Sequence, residues 1–550
     1  MTVGEKSITG HGGNLAVTAA HHHGQDTMWT LSGAHVFPLY DAAVAGSEPM
    51  RIIDVRSEAT AAFAAEATGK LTRKPGLAVV TAGPGVTNTV SAISGAWFNG
   101  SPMVVVGGRA PAARWGSGAL QELDHPPLLA PVTKLAKTVH DPADIAREVD
   151  KAFRLAGSPH RGPVFLDIPM DALFAQSEGT LSAAVPDDQT PDEESVARIT
   201  QLIAAAERPV LVLGGDVWAD GAERQAAELA EHLELPTIAN GMGRGTLSPS
   251  SSALVTRARG NAFKEADLVV VVGAPLDFRL GFGVFGSPEN PADVVHIADS
   301  PEQLASHVPL AAATAGSLRR ILAEIMDGYD REAEIKDHHQ WTARLRELHL
   351  QAIANDSEML SSDADPIHPA RIYGELNPRL TADTVVIGDG GDFVSFAGRF
   401  IQPDRPGNWL DPGPYGCLGT GLGYAMAARV ARPDSPVVLL MGDGAAGFSL
   451  MDVDTLVRHD LPVVMVVCNN SAWGLEKHPM QFLYGYDVAA DLRPTNYDEV
   501  VRALGGAGET VSDPKDIGPA LDRALAAKAP YLVNVQTDTG VAYPRSTTGV

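Results

Sequence analysis

The chain has 550 residues, 45% hydrophobic and 20% charged, which predicts a globular protein of three or four domains. A net charge of −25 disfavours nucleic acid as a partner. The chain contains no charge-free apolar stretch of about twenty residues, so we expect no membrane span. The start lacks the features of a secretory signal, and two cysteines, Cys417 and Cys468, do not indicate a disulfide framework, so we expect a cytoplasmic protein.

Short apolar runs alternate with alanine-rich, helix-like segments along the whole chain. The runs lack the period-two alternation of half-exposed strands, so they predict strands that are buried on both faces of parallel sheets. They lie at residues 50–55, 76–82, 102–108, 162–168, 208–215, 266–274, 293–299, 383–390, 436–444, 461–470 and 530–536.

Two polar stretches interrupt this pattern. Residues 176–195 and 355–371 are rich in Ser, Pro and acidic side chains, a composition typical of linkers. They predict three doubly wound, parallel-sheet α/β domains, at residues 1–180, 195–350 and 365–550.

Small polar side chains follow two neighbouring predicted strands of the third domain. Gly442, Asp443 and Gly444 end one strand, and Asn469 and Asn470 end the next. Each motif alone is also common in ordinary turns. Because the carboxyl ends of parallel strands meet at one edge of a sheet, the two motifs together predict a site for a magnesium diphosphate.

This pairing resembles the cofactor motif of thiamine diphosphate (ThDP) enzymes. The similarity is strongest to the acetolactate synthase-like branch, which includes benzaldehyde lyase, oxalyl-CoA decarboxylase and 2-hydroxyacyl-CoA lyase. The family also needs a glutamate in an Arg-x-Glu segment after an early strand, and Glu58 matches it. The resemblance implies a pyrimidine-binding, a central and a diphosphate-binding domain, with ThDP and Mg²⁺ as cofactors.

The resemblance also assigns roles to individual residues. Glu58 would act on the pyrimidine ring, and Leu418 would bend the cofactor from beneath. Asp443, Asn470 and the Ala472 carbonyl would bind Mg²⁺. Cofactor contacts beyond Glu58 would come from Gly390, Gly391, Asp392, Gly416, Leu418, Gly442, Asp443, Gly444, Ala445, Asn470 and Ala472.

The substrate pocket is implied less directly. Gln121 lies in a Gln-Glu segment like that of the family, and His35 lies in "GAH", as in benzaldehyde lyase; both would be catalytic. Trp473 and Glu476 would add to the pocket. A lone histidine is equally well explained as a satisfied core residue.

The central domain departs from acetolactate synthase, because the flavin-contacting segment of that enzyme is missing. The sequence therefore argues against FAD, whereas ADP or CoA stays open. Arg257, Arg259 and Arg279 stand where the CoA-lyase branch binds a nucleotide, although an exposed basic turn explains them equally well.

We expect an acetolactate synthase-like carboligase or lyase for 2-keto acids or 2-hydroxy carbonyl compounds. Such enzymes attack a carbonyl with the cofactor ylide and pass through an enamine. A 2-hydroxyacyl-CoA lyase or oxalyl-CoA decarboxylase-like enzyme is one alternative, and a catalytically idle ThDP-binding homologue is another. The family places each active site between two subunits, which implies a homodimer or homotetramer.

Overall fold

A computed structural model describes residues 6–46, 49–182 and 190–544. It contains three parallel sheets, each flanked by helices, which confirms the predicted α/β fold class. Within the described residues, no helix combines the length and apolarity that crossing a membrane requires.

The N-terminal part is a six-stranded parallel sheet of order β3-β2-β4-β5-β7-β6, with an antiparallel pair, β1 and β8, beside it. Its strands are β1 (Lys6–His11), β2 (Thr27–Thr30), β3 (Arg51–Asp54), β4 (Gly76–Val80), β5 (Met103–Arg109), β6 (Leu135–Thr138), β7 (Pro163–Pro169) and β8 (Gln176–Leu181). Its helices are α1 (Gly12–His22), α2 (Phe37–Ala45), α3 (Glu58–Thr72), α4 (Pro84–Thr87), α5 (Val90–Phe98), α6 (Pro126–Leu129), α7 (Ile145–Gly157) and α8 (Met170–Phe174).

The central part is a five-stranded parallel sheet of order β10-β9-β11-β12-β13, with apolar cores on both faces. Its strands are β9 (Pro209–Leu213), β10 (Thr237–Ala239), β11 (Leu268–Val272), β12 (Asp293–Ala298) and β13 (Ala312–Ala315). Its helices are α9 (Glu193–Ala205), α10 (Gly215–Ala219), α11 (Glu223–His232), α12 (Arg259–Glu265), α13 (Leu318–Tyr329), α14 (His339–Asn355) and α15 (Ser357–Leu360).

The C-terminal part is a six-stranded parallel sheet of order β15-β14-β16-β17-β19-β18. Its strands are β14 (Val385–Asp389), β15 (Trp409–Leu410), β16 (Val437–Gly442), β17 (Val464–Asn469), β18 (Ala507–Val511) and β19 (Tyr531–Gln536). Its helices are α16 (Ala370–Leu376), α17 (Asp392–Phe400), α18 (Gly421–Ala431), α19 (Asp443–Ser449), α20 (Val453–Arg458), α21 (Gly474–Tyr484), α22 (Tyr497–Ala503) and α23 (Ile517–Ala526).

The N- and C-terminal sheets share one hydrophobic core through α3 and α18. The two helices approach closely because small side chains line their contact: a Cβ on Gly423 would lie 2.9 Å from the Cβ of Phe63. The rings of Phe63 and Tyr424 meet edge to face, with centroids 6.3 Å apart. The first and third parts are therefore one packed body in the chain.

The interpretation of both polar stretches as linkers is wrong in part. Residues Gln176–Leu181 form β8, which pairs with β1, while residues 183–189 lie outside the described residues. In the second stretch, Asp356 is buried and pairs with Arg257 and Arg399. Composition alone did not reveal these partners, because they come from segments distant in sequence.

A buried histidine on α14 makes the stability of the central part depend on pH. His349 accepts a hydrogen bond from the backbone N–H of Arg257 (3.1 Å), and burial lowers its pKa from 6.5 to about 4. The folded state therefore favours the neutral ring, and this contribution to stability is fully present above pH 6.5 and is lost as the pH falls from 6.5 toward 4.

We expect His349→Gln to flatten the acid side of the stability profile. Glutamine keeps an acceptor and a donor but does not titrate, so its melting temperature should fall less than that of the wild type between pH 6.5 and 4. Parallel profiles for the two proteins in thermal denaturation would contradict this assignment.

Candidate active site

A cleft of about 280 Å³ opens at the carboxyl edge of the C-terminal sheet. It lies where β14, β16 and β17 end, and it contains all of the predicted cofactor residues of this part of the chain. These are Gly390, Gly391, Asp392, Gly416, Leu418, Gly442, Asp443, Gly444, Ala445, Asn470 and Ala472. Among the described residues, none from the N-terminal part lines this cleft.

Asp443 presents an unsatisfied carboxylate to the cleft. The residue is 2% exposed, and its Oδ2 atom has no hydrogen-bond partner among the described residues. Burial raises its pKa to about 6, although backbone N–H groups, including those of Gly444, Ser471 and Ala472, oppose the shift. An orphaned buried oxygen of this kind fits a hard cation such as Mg²⁺.

The two asparagines at the end of β17 have different environments. Asn469 is buried, and its side-chain amide donates to the Thr495 carbonyl (2.9 Å) and to Asn534 Oδ1 (3.1 Å). Asn470 lines the cleft, and its Oδ1 accepts from the Ala472 backbone N–H (3.1 Å). The first asparagine thus secures the strand end, and the second offers an oxygen to the site.

Glycines allow close packing between three segments of the cleft: the turn after β14, the turn after β16 and the residues that follow Asn470. A Cβ on Gly444 would lie 2.4 Å from the Trp473 ring, and one on Gly391 would lie 2.5 Å from Leu475 Cδ1. The residues after Asn470 therefore pack directly over the turns that follow β14 and β16. Side chains at these glycines would separate the segments.

Glu58 begins α3 in the N-terminal part and is partly exposed. Asn88 donates from Nδ2 to Glu58 Oε2 (3.0 Å), and this orients the carboxyl group. Asp452 holds the start of the same helix, because it accepts from the Arg56 N–H (2.7 Å) and the Thr60 hydroxyl (2.6 Å). The sequence did not reveal the supporting roles of Asn88 and Asp452. Asp452 is remote from Glu58 in sequence, and Asn88 follows a turn of ordinary composition.

Comparison with known families matches all three parts of the chain. Models of the N-terminal thiamine pyrophosphate (TPP) binding domain, the central domain and the C-terminal TPP binding domain of thiamine pyrophosphate enzymes match residues 10–128, 196–325 and 389–535. The chain belongs to the thiamine pyrophosphate enzyme family. Thiamine pyrophosphate is another name for ThDP, so the resemblance in the sequence is confirmed.

Curated relatives cover nearly the whole chain. Acetolactate synthase large subunit IlvG of Mycobacterium tuberculosis is 47% identical over 98% of this chain and 97% of its own length. The 2-hydroxyacyl-CoA lyase 2 of Caenorhabditis elegans is 32% identical over 95% of this chain, and that of Homo sapiens is 31% identical over 92%; they are covered over 88% and 86% of their lengths. This member of the family is an enzyme that forms or cleaves carbon–carbon bonds with ThDP.

Two of the predicted pocket residues, His35 and Gln121, lie close together in the N-terminal part. His35 is buried, and its Nδ1 lies 3.0 Å from Thr81 Oγ1. The Thr81 hydroxyl in turn donates to Gln121 Oε1 over 3.4 Å. Trp473 and Glu476, by contrast, line the cleft of the C-terminal part.

The three arginines considered for a nucleotide are held by internal partners. Arg257 pairs with Asp356 (2.6 Å), Arg279 pairs with Asp277 (2.6 Å), and Arg259 donates to the Arg279 carbonyl. Of the three, Arg279 lines a cavity between the domains. Arg259 and Arg279 are therefore neighbours, but among the described residues neither Arg257 nor Arg259 lines this cavity.

Several residues of the cleft were missed in the sequence. Their residue types are common in hydrophobic cores and turns, so nothing in the sequence indicated that they line a site. The group comprises Pro369, Phe393, Phe396, Cys468, Gly474, Leu475 and Val541.

Proposed function

We propose that this chain is a ThDP- and Mg²⁺-dependent, acetolactate synthase-like carboligase or lyase for 2-keto acids or 2-hydroxy carbonyl compounds. The observation that carries the proposal is the convergence of the glycine turns, Asp443 and Asn470 in one cleft. The 47% identity to an acetolactate synthase large subunit supports the choice of reaction class.

Asp443, Asn470 and Ala472 would hold the metal ion. Asp443 supplies a charged oxygen that has no other partner among the described residues, and Asn470 supplies an amide oxygen in the same cleft. The Ala472 carbonyl is the third proposed ligand. Mg²⁺ takes few protein ligands and completes its octahedral shell with phosphate and water oxygens.

Glu58 and Leu418 would prepare the other end of the site. When bound, ThDP supplies a carbanion nucleophile and an electron sink. Glu58, oriented by Asn88, would exchange a proton with the N1′ atom of the aminopyrimidine ring. Leu418 lines the cleft and would press on the cofactor to bring its two rings together.

Each active site would be completed by a second copy of the chain. The cleft with Asp443 is lined, among the described residues, by the C-terminal part alone. Glu58 lies in the N-terminal part, so we propose a homodimer or homotetramer in which Glu58 of one subunit faces the cleft of another.

The substrate would bind between these surfaces. Gln121 and His35 would approach its carbonyl oxygen, while Trp473 and Glu476 would form the wall on the cleft side. A purely structural role explains His35 equally well, because one of its ring nitrogens already forms a hydrogen bond with Thr81.

Charged side chains of both signs lie at the carboxyl edge of the central sheet. Asp216 follows the end of β9, and burial together with the negative charge of Asp299 raises its pKa to about 7. His160 Nδ1 and Arg161 Nη1 lie 3.0 and 3.6 Å from the Asp299 carboxyl oxygens, so this edge of the sheet carries both signs of charge. The charges therefore do not decide between FAD, ADP, CoA and no ligand in the central part.

A 2-hydroxyacyl-CoA lyase is the second candidate. The relatives with that name, at 30–32% identity over at least 90% of the chain, favour it. The arginine contacts do not favour a CoA site, because Asp356 and Asp277 already neutralise Arg257 and Arg279. An idle homologue is disfavoured because Glu58, Asp443 and Asn470 are all present.

Product analysis separates the candidates. We expect purified enzyme with ThDP and Mg²⁺ to convert pyruvate to acetolactate and CO₂, detected by mass spectrometry. Formation of an aldehyde and formyl-CoA from a 2-hydroxyacyl-CoA, without turnover of pyruvate, would replace the first candidate by the second. No turnover of pyruvate, acyl-CoA or an acyloin, despite bound ThDP, would favour the idle homologue.

A further inference from the structure

Asp389 is a buried carboxylate behind the cleft, and none of the roles proposed above involves it. It is the last residue of β14 and is fully buried. Its two oxygens accept separate backbone hydrogen bonds: Oδ1 from Gly419 (3.1 Å) and Oδ2 from Gly421 (2.8 Å). The carboxyl group therefore fastens the loop at 416–421 to the end of the strand.

This loop carries two of the proposed cofactor contacts. Gly416 and Leu418 line the cleft, and Gly416 and Gly419 have φ values of +73° and +83°. Left-handed residues do not extend a helix or strand, so the loop depends on other contacts to keep its shape. The bonds to Asp389 come one and three residues after Leu418.

Asp389 also borders a second cofactor segment. Gly390, Gly391 and Asp392 follow it directly and line the same cleft. On the other side, a Cβ on Gly421 would lie 2.9 Å from Asp389 Oδ2, so the contact is too close for any side chain larger than that of glycine. A single carboxyl group thus connects the turn after β14 with the loop of Leu418.

We propose that Asp389 is the positioning residue that sets Leu418 and Gly416 against bound ThDP. This inference rests on the proposed function and adds a residue that acts on the cofactor through the loop. Burial raises the pKa of Asp389 to about 7, opposed by the bonds from Gly421 and Gly419. An apolar side chain would avoid this cost of burial, so packing alone does not account for a carboxyl group here.

The test compares Asp389→Asn with a matched buried aspartate. Asparagine keeps the volume but turns an NH₂ group toward one of the two N–H donors, so one bond is lost. Asp150 is also fully buried, pairs with His23 and Arg154, and lies in the N-terminal part. Asp150→Asn therefore controls for the removal of a buried charge.

Two readouts need no substrate. We expect Asp389→Asn to raise the Kd for ThDP, measured by tryptophan fluorescence with Mg²⁺, by about tenfold or more, as expected for a lost hydrogen bond to a charged group. The exchange rate of the C2 proton of bound ThDP, followed by NMR, should fall. Asp150→Asn should lower the melting temperature without changing either readout.

A double variant tests whether Asp389 acts through Leu418. If it does, adding Asp389→Asn to Leu418→Ala should slow C2 proton exchange no further than Leu418→Ala alone. Full additivity would overturn the inference. If Asp389→Asn does not fold, Gly421→Ala strains the same contact from the loop and should show the same two effects.

The outcomes also separate this inference from the proposed function. If the wild type does not bind ThDP, the proposed function fails. If the wild type binds ThDP and the variants match it in Kd and exchange rate, the function stands and the role of Asp389 is wrong. Equal loss in Asp150→Asn would likewise overturn it, because the effect would then belong to stability in general.

Discussion

Glu58→Gln should lower turnover by about 100- to 10,000-fold while ThDP still binds, the usual range for loss of a general acid–base group. Glutamine has the same shape and can keep the hydrogen-bond distance to Asn88, which is 3.0 Å in the wild type. It cannot supply a proton to the cofactor ring or take one back. The measurement is the turnover number at saturating ThDP, beside the Kd for ThDP.

Glu66→Gln is the matched control for this variant. Glu66 lies on the same helix and is fully buried, where Asn99 and Ser101 donate to its Oε1. We expect a lower melting temperature with little loss of turnover. Undiminished turnover in Glu58→Gln would remove the proposed acid–base role of Glu58.

The sequence predicted which residues after β14, β16 and β17 would line one cleft. The reason is geometric: in a parallel sheet the carboxyl ends of neighbouring strands meet at one edge, so Asp443 and Asn470 had to be near each other once their strands were identified. Glycine turns after the same strands added Gly390 and Gly416 to the cleft.

Other features depend on contacts that no local pattern encodes. Asp389 was passed over because its partners, Gly419 and Gly421, lie 30 and 32 residues further along the chain. Asp356 lay in a polar stretch, yet it is buried between two arginines. The strand at Gln176–Leu181 exists because β1 pairs with it, and polar composition masked its extended form.

The proposed sharing of the active site between two subunits predicts the second large effect. Glu58→Gln and Asp443→Ala should each be nearly inactive, because the first removes the proposed acid–base group and the second removes a proposed metal ligand. If Glu58 of one subunit serves the cleft of the other, a hybrid dimer of the two variants contains one intact site and one site with both changes.

Mixing the two variants should therefore restore activity. Random exchange of subunits gives about half hybrids with one intact site each, so we expect about a quarter of the wild-type rate from an equal mixture. Co-expression with two affinity tags isolates the hybrid, which should then reach about half of that rate. If both residues served one site within a single chain, each subunit of the hybrid would carry one fatal change. The isolated hybrid would then be as inactive as its parents, and the proposed sharing of Glu58 and Asp443 between subunits would have to be abandoned.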